Sequence, residues 1–143
     1  MKKIALLHWL VTVAGLATAL LPFSVLAAPG DLYEADNSSN TIFKFTPDGT
    51  KSTFASGLST PSAVAFDGSG NLFEADFGSG TIFKFTPSGT RTTFASDGLS
   101  GPCGLAFDSA GNLFVADLIS GTIFKFTPSG TRSTFSSTGS KAV

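Results

Sequence analysis

The chain has 143 residues with 9 Lys and Arg against 10 Asp and Glu, a formal net charge of −1. One domain is the expected size class, and the near balance of charge lacks the basic footprint that binding a phosphate backbone requires. The apolar content is 42% with 16 glycines and only 13% charged residues, which argues against disorder and for packed β-structure with many tight turns.

The chain begins with Met1-Lys2-Lys3 and an uncharged apolar run that continues through Leu10–Leu21. Pro22 follows, and Val25-Leu26-Ala27 presents small residues at the positions a signal peptidase reads. The expectation is a secretory signal helix over 1–27, cleavage before Ala28, and a protein that is secreted or periplasmic and leaves the membrane. An uncleaved anchor is the competing reading. Cleavage removes the only histidine, His8, and the only tryptophan, Trp9, and leaves 7 basic against 10 acidic residues, near −3.

The domain expected at 28–143 is repetitive. Thr-Ile-Phe-Lys-Phe-Thr-Pro occurs unchanged at Thr41–Pro47, Thr81–Pro87 and Thr122–Pro128. These heptapeptides set the repeats 31–70, 71–111 and 112–140, the first two being 40 and 41 residues long. A period of this size built from short β-like runs signals stacked β-units. Within one period the predicted strands are Ser62–Asp67, Leu72–Asp76, Thr81–Thr86 and Thr90–Ala95. Asp-Gly-Ser-Gly-Asn at Asp67–Asn71 and Pro87-Ser88-Gly89 are turn chemistry. The first strand is apolar on both faces and is expected to be the buried one. The first three strands carry bulky residues on both faces, so each small sheet needs a neighbour on either side. The last has Lys51, Arg91 or Arg132 among Thr and Ser, as an exposed outer edge should.

Pro-x-x-(Val/Leu)-Ala-Phe-Asp-x-x-Gly-Asn-Leu-Phe-x-Ala-Asp, followed by Ile-x-Lys-Phe-Thr-Pro-x-Gly, resembles the NHL repeat. It runs from Pro61 to Gly89 and from Pro102 to Gly130, with a headless copy from Asp31 to Gly49. The resemblance implies an all-β fold, a partial β-propeller of about three four-stranded blades whose first blade lacks its innermost strand. Rings of this family are mostly six-bladed, and they include scaffolds, binding proteins, lyases and lactonases.

The residues that attract chemical attention are Asp36, Asp76 and Asp117, each closing the second strand of a repeat, with Glu34 and Glu74 two residues earlier. Asp36, Glu74, Asp76 and Asp117 are candidate ligands for a divalent metal, although Val115 stands where a third Glu would be. The competing reading is that each Asp accepts backbone N–H bonds and shapes its own turn. Without histidine beyond residue 27 there is no His base and no Ser-His-Asp triad. That counts against the virginiamycin B lyase type that such repeats resemble. The resemblance leaves a gluconolactonase-like, metal-dependent hydrolase as the alternative to a non-enzymatic binding or structural module that needs no cofactor.

Lys44, Lys84 and Lys125 sit between two Phe of the third strand and are expected to lay their stems on apolar surface. Tyr33 is the one Tyr available to stack on a sugar. Cys103, alone in the chain, is expected to be a small packing residue. Specificity is expected in the loops after strands two and four, which the resemblance places on one face: Asn37 and Asn40, Phe77, Leu118 and Ile119, and Asp97. The expected partners are a protein or peptide ligand, or a second copy that completes the ring, with a truncated and poorly stable product as the competing expectation. Nucleic acid is not expected.

Overall fold

The computed structural model describes residues 30–137; the signal segment 1–27 lies outside them. The described residues form eleven strands. They are β1 Leu32–Asp36, β2 Thr41–Phe45, β3 Lys51–Ala55, β4 Pro61–Phe66, β5 Leu72–Asp76 and β6 Thr81–Phe85. The remainder are β7 Arg91–Ala95, β8 Pro102–Phe107, β9 Leu113–Asp117, β10 Thr122–Phe126 and β11 Arg132–Ser137. They group into a three-stranded sheet β1-β2-β3 and two four-stranded sheets, β4-β5-β6-β7 and β8-β9-β10-β11, all antiparallel meanders. These are three propeller blades, the first without its innermost strand.

The strands are short because turn chemistry stops them. Thr86 is the first turn residue rather than the last of β6: its N–H bonds the Thr90 carbonyl at 3.0 Å and its carbonyl takes the Gly89 N–H at 2.8 Å. Asp67 closes the β4–β5 hairpin, its Oδ1 accepting from Ser69 and Asn71 N–H at 2.9 Å and its Oδ2 from the Asn71 amide at 2.8 Å. Asp108 repeats these contacts with Ala110 and Asn112.

The core lies between the blades. Ile42 of blade one meets Leu72 and Phe85 of blade two, with Leu58 from the connecting loop. On the other face of blade two, Phe73, Ala75 and Ile82 meet Leu113, Val115 and Phe126 of blade three. Period-two alternation thus sends odd and even positions of one strand to two different neighbours.

The buried strand is not the one the apolar pattern selected. All five residues of β5 are buried, whereas in β4 only Pro61 is. Strand β5 has sheet neighbours on both edges and a blade over each face, while β4 has one edge free at the axis. Strands β3 and β7 carry exposed residues at their first three positions and β11 throughout, as the charge pattern predicts.

Candidate functional site

In blades two and three, the loop that joins strands two and three meets the loop that leads in from the preceding blade. The strand-end aspartates organise this junction. Asp76 Oδ1 accepts from the Ser79 N–H at 3.0 Å and the Ser79 hydroxyl at 2.8 Å, while Oδ2 accepts from the Ser59 N–H of the incoming loop at 2.7 Å. Asp117 does the same with Ser120 (2.9 and 2.8 Å), Ser100 (2.7 Å) and Gly101 (3.0 Å). Burial alone would raise the Asp117 pKa, but the N–H groups of Gly101, Ser100 and Ser120 and the Ser120 hydroxyl hold it below the ordinary 3.8. Asp36 is half-buried and, among the described residues, its carboxylate bonds within its own turn, to Ser38 N–H at 2.9 Å, Ser39 N–H at 3.4 Å and the Ser39 hydroxyl at 3.0 Å. Those bonds, Ser38 first, keep its pKa low as well.

Glu74 is different. It is fully buried beside Asp76, and neither carboxylate oxygen has a hydrogen-bond partner. Burial first, then the Asp76 charge, push its pKa up to about 8, against a smaller opposing pull from Arg91. Asp36, Glu74, Asp76 and Asp117 lie on three blades, and among the described residues no three His, Cys, Asp or Glu side chains come close enough to hold a metal ion. The geometry makes the aspartates turn-shaping groups.

The six loop residues separate into four situations. Asn40 adopts φ 55°, bonds the Thr60 N–H through its Oδ1 at 2.9 Å and takes the Leu58 N–H on its carbonyl at 3.2 Å. Thr60, itself at φ 56°, passes the link on by accepting the Phe77 N–H at 3.2 Å. Asn37, by contrast, is exposed and touches only the Ser38 hydroxyl, at 3.3 Å. Phe77 and Ile119 close on Gly101 from two successive blades: a Cβ there would lie 2.9 Å from each. Leu118, its N–H bonded to the Gly101 carbonyl at 2.8 Å, and Ile119 are exposed beside them. Asp97 stands apart; its carbonyl accepts the Arg132 guanidinium.

That last contact is one the sequence alone did not reveal. Arg132 reaches back to the loop before β8, as Arg91 reaches the Gly57 carbonyl at 3.3 Å, so each outer-strand arginine ties its blade to the loop leaving the preceding outer strand. Their guanidiniums cover Phe124 and Phe83 at 4.9 and 5.0 Å, and Lys51 covers Phe43 at 3.4 Å. The signal was a basic residue recurring in an otherwise Ser/Thr strand.

The lysines also do more than lay down a stem. Lys44 pairs with Asp31 at 2.6 Å and Lys84 with Asp67 at 3.9 Å, and Lys84 and Lys125 lie over Phe73 and Phe114 at 5.3 and 5.7 Å. Tyr33 is a packing residue, edge-on to Phe54 and Phe66 at 5.1 and 5.0 Å. Cys103 is half-buried at the position where Ser62 donates to the carbonyls of Ala75 (2.9 Å) and Pro102 (2.8 Å), stitching β4 to β5 and β8.

No family model and no curated protein matches the chain. Solved structures match its fold. A virginiamycin B lyase from Staphylococcus aureus, in selenomethionine form, superimposes with a TM-score of 0.69 at 22% identity, covering 87% of this chain and 46% of that one. A chain of a nidogen/laminin complex gives 0.72 at 22%, covering 80% and 46%. A catalytically inactive histidine-to-alanine variant of the S. aureus lyase, with quinupristin, gives 0.67 at 17%, covering 77% and 39%. The neighbours are NHL-type and lyase-type β-propellers, in keeping with the repeat resemblance, and this chain spans less than half of each.

Proposed function

We propose that the chain is a secreted β-propeller module that binds a protein or peptide and carries no catalysis of its own. The observation behind this reading is the contrast within one structural position. The aspartates Asp76 and Asp117 have both oxygens committed to their own and incoming loops, whereas the turn beside them varies from Asn-Ser-Ser-Asn to Phe-Gly-Ser-Gly to Leu-Ile-Ser-Gly. In blades two and three the variable residues are apolar: Leu118 and Ile119 are exposed, and Ile119 closes on Gly101 together with Phe77. An apolar group of this kind rimmed by polar loops suits a peptide contact rather than a charged substrate.

Two further facts support it. One structural neighbour was solved within a complex of proteins. The lyase neighbour is inactive when a histidine is replaced, and the one histidine here, His8, precedes the repeats. Removal of residues 1–27 would deliver the propeller outside the cytoplasm, beginning at Ala28; the intact mass of exported protein reads this directly.

The test is selection of a phage-displayed random peptide library on the purified chain, with a Leu118→Ser/Ile119→Ser double variant as counter-selection. Enriched peptides that lose binding at least tenfold to the variant are expected. Peptides indifferent to the variant would overturn the assignment to this surface, and a stoichiometric divalent metal abolished by Asp76→Ala together with lactone hydrolysis would overturn the reading in favour of the hydrolase.

A further inference from the structure

The two internal blade interfaces are built from one pair of complementary faces, and the described residues leave one copy of each face uncovered. The first kind of face holds a leucine at the start of the second strand and a phenylalanine at the end of the third. It is sealed at Leu72 and Leu113, each 1% exposed, but open at Leu32, 65% exposed. The second kind holds the third-strand isoleucine. It is sealed at Ile42 and Ile82, both 0% exposed, but open at Ile123, 39% exposed. In both sealed interfaces that leucine and that isoleucine share one cluster: Ile42 with Leu72, and Ile82 with Leu113.

The aromatic contacts repeat in the same way. Phe54 meets Phe85 of the next blade at 5.7 Å, and Phe94 meets Phe126 at 5.8 Å. The third member of the series, Phe135, is 62% exposed and stands edge-on to Phe114 of its own blade, at 4.9 Å. The residue that the series would bring to it is Phe45. An apolar recess of about 220 Å³ lies beside it, lined by Gly104, Leu105, Ala106, Phe114, Ala116 and Ile123. Its counterpart in blade two, Ala63, Phe73, Ala75 and Ile82, is the surface on which blade three sits.

We infer that a second copy of this chain closes the propeller: blade one of each copy seats on blade three of the other, with Leu32 against Ile123 and Phe45 against Phe135. The occupant is a second copy because the chain itself carries the matching half of the interface, which fits twice within each copy. The contact is head to tail, and two such contacts close on themselves when the blades turn through half a ring per copy. The described residues of blade one contribute three strands to each half. Glu34 enters the recess as Glu74 enters the preceding interface, and Val115 at the same slot shows that an apolar side chain fits there.

Sedimentation velocity on the purified chain, with Leu32→Lys, Ile123→Glu and Glu34→Val variants, tests this. The parent chain is expected to sediment as a discrete dimer. Leu32→Lys and Ile123→Glu are each expected to weaken it at least tenfold. An equimolar mixture of the two is expected to recover dimer, because the mixed pair has one native interface and one Lys–Glu interface. Glu34→Val is expected to tighten association severalfold. Both charged substitutions are at exposed positions, so circular dichroism and a thermal melt should show folded variants; dimer loss with unfolding would be discounted in favour of the mixing result. A monomeric parent, an open-ended ladder of oligomers, or a mixture no more dimeric than its components overturns the inference.

Discussion

Glu74 and Val115 occupy the same position of successive blades, each with no exposed surface, yet one bears a carboxyl group whose oxygens have no hydrogen-bond partner. The valine shows what the position accepts; the glutamate shows what the fold tolerates. Replacing an unpaired buried polar group by an apolar one of fitting shape removes a desolvation cost with no partner left behind.

Glu74→Val is therefore expected to stabilise the chain. The folded carboxyl titrates at about 8 against an ordinary 4.5, so at pH 7 it stays protonated where the unfolded chain has ionised. Each tenfold step in that protonation equilibrium is worth about 1.4 kcal/mol, which makes the gain on the order of 3 kcal/mol. Urea unfolding at pH 7 should show a higher midpoint with unchanged slope.

The pH dependence follows from the same group. Its folded pKa lies above its unfolded one, so between 4.5 and about 8 the unfolded chain has released a proton that the folded chain keeps. Stability then falls as pH rises through that window and levels off above it. Asp117 has the opposite sign: its lowered pKa contributes stability that is present above 3.8 and lost below. The melting temperature is expected to peak near pH 4 to 4.5, between the two ordinary values, and to decline toward pH 8. In Glu74→Val the decline should vanish while the acid limb stays. A flat profile in the parent chain would contradict the assignment.

Asp117→Ala leaves the N–H groups of Ser100, Gly101 and Ser120 without their acceptor at a buried junction. The expected cost is about 3 kcal/mol, the range for breaking a buried charged hydrogen-bond network. Asp36→Ala, at the equivalent half-buried position where the described residues place no incoming loop on the carboxylate, should be close to silent in the same unfolding measurement. Equal effects at both positions would mean that the loop junction is not what the aspartate holds.

Local and periodic features were legible in the residues themselves. Short β-like runs bounded by turn residues placed the strands to within a residue, because the Asp, Gly and Pro that end each run fix the backbone locally. Asp67, Gly89 and Asp108 set the turns for reasons of backbone geometry and short-range hydrogen bonding, which need no knowledge of the rest of the molecule. The repeat count and the blade-like grouping of strands followed from those two signals.

What happens to identical residues was settled in three dimensions. Leu32, Leu72 and Leu113 have nearly the same neighbours in sequence, yet the first is exposed and the others are sealed. Lys44 pairs closely with Asp31, while Lys84 reaches Asp67, because blade one has no β4 equivalent to offer that acid. Asp36 holds one turn, whereas Asp76 and Asp117 each hold two loops. Arg91 and Arg132 looked like edge charges and proved to be ties to the preceding blade. A repeat encodes its own conformation through contacts within some five residues, but burial, pKa and pairing are set by the blade on either side. That neighbour arrives from about forty residues away, so a repeat's own residues do not set how deeply they are buried.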